Sequence, residues 1–297
     1  MITPPRPLFI LGSQRSGTTM LRLMVNNHPE IAVPHESAFI TEMFDRLHEF
    51  GDLAEYANRH KLLQAIEATT LVQRGGHIRD REQILQRPIS SYPEFVAAIF
   101  EQYALALGKR RWADKTPFYT DKIDTLCRLF PRAQFVHLVR DGRDVALSQR
   151  QISWLPSRVH QIAEEWRWKT TICHKVGSSL APDRYLLLHF EELVGDPQRC
   201  LRTLCDFINV EFAPQMLDYH QTAATVVPQE SLQWHRNSVK APMQEKVGEW
   251  KRRMPKSDRT IFEQIAGDAL STFGYEREHL RSSWVSRAKN LYNYALS

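Results

Sequence analysis

An aliphatic run, Leu8-Phe9-Ile10-Leu11, leads into Gly12; four residues intervene before Gly17, and Thr18-Thr19 then open an amphipathic stretch. Strand, glycine loop and helix in that order form the setting in which a backbone cradles a phosphate-like anion. Glycines let successive N–H groups turn inward, and the helix N-terminus adds partial positive charge. A nucleotide hydrolase carries lysine where this chain has Thr18, and without that lysine the clamp on the β- and γ-phosphates of ATP or GTP is lost. The cation sits inside the loop instead, at Arg15. Its planar guanidinium fork matches a phosphate or sulfonate face.

A second anion site is spelled later in the chain. Phe135-Val136-His137-Leu138-Val139 reads as a buried strand and runs into Arg140-Asp141-Gly142-Arg143-Asp144, with Ser148 eight residues beyond Arg140. In isolation Arg-Asp-Gly-Arg-Asp is a solvated turn with internal ion pairs. Placed at a strand's carboxyl end, Arg140 leaves the edge where open α/β sheets bind ligands. Ser148, on the first turns of the next helix, can reach the same anion.

The core Arg15-Ser16-Gly17-Thr18-Thr19, with its strand, resembles the 5′-phosphosulfate loop of the sulfotransferases that use 3′-phosphoadenosine-5′-phosphosulfate (PAPS). The motifs are most similar to those of the protein-tyrosine and carbohydrate branch, in the manner of a bacterial member. The resemblance implies that Arg15, Ser16, Gly17, Thr18 and Thr19 hold the phosphosulfate, while Arg140 and Ser148 hold the 3′-phosphate. Phe190-Glu191-Glu192-Leu193-Val194 looks like the family's Tyr-Glu-x-Leu segment; Phe190 would stack near the adenine without a tyrosine's hydroxyl contact. Arg236-Asn237-Ser238-Val239-Lys240, followed by Gly248-Glu249-Trp250, resembles the C-terminal loop that covers the cofactor in protein-tyrosine sulfotransferases. That implies a leaving-side role for Ser238 and a cofactor contact for Lys240.

Sulfuryl transfer moves a neutral SO₃ unit to an acceptor oxygen, so it calls for a base, cations at the leaving oxygen and in-line positioning. The family likeness points to Glu36, in Val33-Pro34-His35-Glu36-Ser37, as the general base. His35 competes, because an imidazole with an ordinary pKa near 6.5 suits the task. Lys115, in Ala113-Asp114-Lys115-Thr116-Pro117, matches the family lysine that charges the bridging oxygen, and Arg15 falls to the transferring group. PAPS would be the donor and PAP the product, with no metal required: no H-E-x-x-H, C-x-x-C or aspartate-rich cluster occurs. The acceptor is a hydroxyl on a carbohydrate, lipid, peptide or small molecule. Two other readings stand beside this one. One is a kinase-like phosphotransferase lacking the usual lysine, and the other a non-catalytic nucleotide-binding protein.

The elements that must position these residues alternate aliphatic runs with longer amphipathic stretches. That is an α/β pattern: one phosphate-loop domain over residues 1–297, with a central parallel sheet flanked by helices. Strands are expected at Leu8–Leu11, Ile31–Val33, Arg111–Ala113, Gln134–Val139 and Arg184–His189. Helices are expected around Val159–Val176, at Pro197–Ile208 behind an Asp196 cap, at Arg259–Phe273 and over Trp284–Leu296. Thr41–Ala106 reads as a helical insertion that, with Trp154, shapes the acceptor pocket. The 297 residues hold 39 Lys+Arg against 34 Asp+Glu, a net charge of +5, with 42% hydrophobic and 25% charged residues, which excludes disorder and fibre. The scattered basic charge suits a small polyanion, and no basic stripe or reading module marks a nucleic-acid binder. No apolar run nears the roughly 20 residues of a membrane helix, and the start lacks a secretory pattern. Cys127, Cys173, Cys200 and Cys205 have no scaffold spacing and read as reduced thiols. A soluble, cytoplasmic protein is expected, its oligomeric state unspecified.

Overall fold

The computed structural model describes residues 5–226 and 239–278; Ser238 and the helix expected over 284–296 lie outside the described residues. Five strands, β1 (Leu8–Leu11), β2 (Ile31–Ala32), β3 (Arg111–Lys115), β4 (Gln134–Val139) and β5 (Tyr185–His189), form a wholly parallel sheet in the order β2-β3-β1-β4-β5. Every residue of β1, β3 and β4 is buried, as strands covered on both faces must be. β1 lies at the centre, with Ile10 opposite Lys115 on one side and Leu11 opposite His137 on the other. The chain therefore reverses direction across the sheet beside β1, and ligands bind outside the carboxyl ends at such a reversal.

Helix α1 (Thr18–Asn26) follows the glycine loop. Next come α2 (Phe39–Asp45), α3 (Tyr56–Glu67), α4 (Thr70–Gly75), α5 (Arg81–Leu85) and α6 (Tyr92–Ala106), which make the expected insertion helical throughout its regular structure. Beyond it stand α7 (Ile123–Leu129), α8 (Gly142–Gln149), α9 (Val159–Gly177), α10 (Phe190–Gly195) and α11 (Pro197–Ile208). The Asp196 carboxylate accepts the Arg199 N–H at 3.0 Å, the expected N-cap of α11.

Some boundaries differ from the sequence expectation, each for a local reason. β2 ends before Val33, whose N–H turns to the Asn26 side chain at 2.9 Å. β3 runs on through Asp114 and Lys115, two buried charges that aliphatic patterning does not signal. The helix expected from Arg259 begins at Lys256, directly after Pro255, whose fixed φ suits a helix entrance. Ser148 falls in the last turn of the eight-residue α8 rather than its first.

One face of the sheet packs against the insertion. The Trp112 ring stacks on Phe100 at 4.7 Å and meets Phe9 edge-on at 5.9 Å. On that same face, towards β4 and β5, Trp166 of α9 meets Phe262 of the Lys256–Thr272 helix, while on the other face Leu8 and Ile10 lie against α1 and α11. The four cysteines are unpaired, three of them buried. No described helix is long and apolar enough to cross a membrane. Replacing Trp112 by Ala should lower the unfolding free energy by about 3–5 kcal/mol, the scale for emptying a buried aromatic site. Denaturant titration checks this, and a loss under about 1 kcal/mol would show that the stack does not hold insertion to sheet.

Candidate active site

The glycine loop is held from beneath. The Thr120 hydroxyl accepts the Gly12 N–H and donates back to the Gly12 carbonyl, both at 2.9 Å. Arg15 sits at φ +67° and Gly17 at φ +93°, so the loop departs into left-handed space on either side of Ser16, once at a residue with a Cβ. A Cβ on Gly17 would fall 2.4 Å from the Phe190 ring; only glycine admits both that φ and that neighbour. Ser16 is fully buried, and its hydroxyl pairs with that of Ser13 at 2.6 Å. Its side chain shapes the loop and does not line the cavity. At the loop's end, the first N–H groups of α1 have no intrahelical acceptor.

The two anion motifs meet. Arg15 Nε donates to Ser148 Oγ at 3.1 Å, and Arg140 Nη1 donates to the Arg15 carbonyl at 3.2 Å. Arg140 also lies over the Phe190 ring at 4.4 Å, so that ring is a platform for the guanidinium as well as a wall against Gly17. All four residues line one cavity of about 530 Å³, together with Thr18, Thr19, His35 and Glu36. Burial lowers the pKa of Arg15 and Arg140, and their mutual repulsion lowers that of Arg15 further. Arg140 Nε is buried with no hydrogen-bond partner. Lys240 is exposed and lies outside the cavity lining; Lys246 is in it, with its carbonyl taking Arg140 Nη2 at 2.7 Å.

Lys115 ends β3 at 2% exposure and joins the cradle to the candidate base, donating to Thr19 Oγ1 at 3.2 Å and forming an ion pair with Glu36. The segment carrying Glu36 is tethered on both flanks. Arg22 of α1 donates through Nε to the carbonyls of Val33 (3.2 Å) and Pro34 (2.8 Å), and His77 Nε2 contacts the His35 carbonyl at 2.8 Å. The Ser37 N–H donates to Thr116 Oγ1 at 3.0 Å, and the Ser37 hydroxyl donates to Asp114 at 2.6 Å. Arg22 and Asp114 are thus positioning residues that sequence reading did not single out. An arginine inside the otherwise uncharged run Thr18–Val25 was the available signal. Asp114 is pushed up to about 6, chiefly by burial. His35 is driven down to about 2, first by burial and then by Lys115 and Arg22, which leaves a neutral imidazole that is a weak proton acceptor.

A parallel sheet whose central strands deliver Lys115, the Arg15 loop and Arg140 to one crevice defines an α/β protein built to hold an anion at its carboxyl edge. The chain belongs to the sulfotransferase family, whose sequence model matches residues 7–214. It is 23% identical over 277 residues to a protein-tyrosine sulfotransferase of Drosophila melanogaster, covering 91% of this chain and 51% of that protein. Over 154 residues it is 33% identical to the nodulation protein NoeE of Sinorhizobium fredii, covering 51% of this chain and 33% of that one. The chain spans about half the length of the fruit-fly relative and a third of the nodulation protein. Among solved structures, the sulfotransferase domain of the Synechococcus PCC 7002 olefin synthase superposes with a TM-score of 0.64 at 25% identity, over 92% of this chain and 96% of that domain. The sulfotransferase domain from the curacin biosynthetic pathway shares the fold, with a TM-score of 0.61 at 22% identity over 92% of this chain and 99% of that one.

Because the pKa of His35 falls from 6.5 to about 2 on folding, the unfolded chain takes up the proton first as acid is added. The stability due to neutral His35 is therefore present above pH 6.5 and drains as pH falls toward 2. A His35→Gln variant should lose less stability than the parent between pH 6.5 and 4.5, measured as denaturation midpoints. Parallel pH curves would place a protonated imidazole in the fold.

Proposed function

We propose that this protein transfers the sulfuryl group of PAPS to a hydroxyl acceptor. The observation that carries the reading is the convergence of Arg15, Arg140, Ser148 and Glu36 on one cavity, with Lys115 paired to Glu36 and bonded to Thr19 at its margin. PAPS has an anion at each end, and the crevice has a cation for each: Arg15 with the α1 N-terminus for the phosphosulfate, Arg140 with Ser148 for the 3′-phosphate. Thr18 in place of a loop lysine argues against ATP as donor, and the family membership favours sulfuryl over phosphoryl transfer.

The donor supplies an activated SO₃ unit on a phosphate leaving group. Glu36 takes the proton of the acceptor hydroxyl as its oxygen bonds to sulfur, and the bond from sulfur to the bridging phosphate oxygen breaks. Lys115 stabilises the charge arriving on that oxygen, where a desolvated ammonium acts more strongly than in water. Arg15 orients the transferring group. His35, neutral and with its carbonyl held by His77, supports the segment and leaves the proton to Glu36. Phe190 sets the width of the cofactor slot against Gly17. Ser238 is assigned the leaving side and Lys240 an outer contact on the family likeness alone. Among the described residues no group of His, Cys, Asp and Glu could hold a metal ion; the proposed steps use none.

Glu36→Gln should cut turnover by roughly 10²–10⁴-fold while PAP affinity, measured by calorimetry, stays within twofold; undiminished turnover removes Glu36 from the role. Arg140→Ala should weaken PAP binding by about 1.5–3 kcal/mol, the scale of a charge-assisted hydrogen bond. Adenosine 5′-phosphosulfate, without the 3′-phosphate, should be affected far less. Equal losses for the two nucleotides would mean that Arg140 does not read the 3′ end.

A further inference from the structure

The wall of the cavity that the cofactor motifs leave unused has its own chemistry. It is made by Leu71 and Arg74 of α4, by Phe118 just past β3, and by Trp154 and Leu155 after α8, with Thr70 beside them. Phe118 is 46% exposed and Trp154 58%, two of the few large apolar side chains left in water among the described residues. A protein seldom leaves rings open on a concave surface unless something covers them. This wall adjoins the reacting pair. A Cβ on Gly75, next to Arg74, would come within 3.1 Å of the His35 Cβ, and Phe118 lies three residues beyond Lys115. The polar side chains on it are Thr70, Arg74 and Gln151, fewer than the hydroxyls of a polyhydroxylated ring, which lodged here would leave some of them without partners. The charge of Arg74 bears on His35 and disfavours a cationic group placed beside it.

We propose that the acceptor is an alcohol borne on an apolar, non-cationic body, aromatic or aliphatic, that lies against Phe118, Trp154, Leu71 and Leu155 with its hydroxyl at Glu36. A sugar, with more hydroxyls than this wall has polar partners, fits it less well. The inference rests on the sulfuryl-transfer reading and narrows it, since the family's hydroxyl acceptors differ widely.

The test uses the full chain with saturating PAPS, following PAP release with 2-naphthol, 1-decanol, glucose and an acidic tyrosine-containing peptide. One of the two apolar alcohols should exceed both glucose and the peptide in kcat/KM by tenfold or more. For that alcohol, Trp154→Ala and Phe118→Ala should each raise KM on the order of tenfold, the scale of a lost apolar pocket contact; the PAP affinity of the same variants serves as the folding control. A preference for glucose or the peptide overturns the proposal and leaves sulfuryl transfer standing, as does an unchanged KM in both variants. Failure to bind PAP, or PAP binding without release from any of the four acceptors, overturns the transfer reading and the proposal together.

Discussion

Cations withdrawn from water around one crevice are the constraint on which the structure turns. Arg22, Lys115 and Arg140 are almost wholly buried, Arg15 is partly so, and burial lowers the pKa of all four. Such groups are tolerated only where carbonyls, carboxylates or a bound anion compensate them. The fold meets the condition by different means at each position. Lys115 has Glu36, Arg22 has two carbonyls of the segment before Glu36, and Arg140 has two carbonyls and an aromatic face. Arg140, which lines the cavity, keeps a buried Nε without a partner. An oligoanionic ligand completes the arrangement, and this is why geometry and proposed chemistry agree.

The sheet explains how residues so far apart in the chain reach that crevice. With β1 between β3 and β4, the carboxyl ends of three adjacent strands deliver Lys115, Arg15 and Arg140 side by side. The insertion between β2 and β3 then closes over the remaining side through α4. On the proposed reading, cofactor grip would belong to the sheet edge and acceptor choice to the appended helices.

Much of this was legible in the residues. β1 is an apolar run ending at Gly12 and β4 a mostly apolar run ending at Arg140, so their limits and the two anion loops are read together. β3 was cut short because Asp114 and Lys115 break the apolar run, yet they are buried by mutual compensation and by Glu36 and Ser37. The tethers around Glu36 were invisible for a similar reason. Arg22, His77 and Thr116 act on backbone groups far off in sequence, which no local spacing encodes. Lys240 and Lys246 share a type and a neighbourhood; only the path of the chain past Arg140 separates a surface lysine from one in the cavity lining.

The late part of the chain reaches back into the site through its backbone. Asp144 of α8 accepts the N–H groups of Gly248 and Trp250 at 2.8 and 2.7 Å, and the Lys246 carbonyl accepts from Arg140. A chain still emerging from the ribosome therefore has its sheet long before it has a finished crevice. Until residues near 250 are released, Arg140 and Asp144 lack these partners. On the proposed reading, tight binding of nucleotide would have to wait for the polypeptide that completes the crevice.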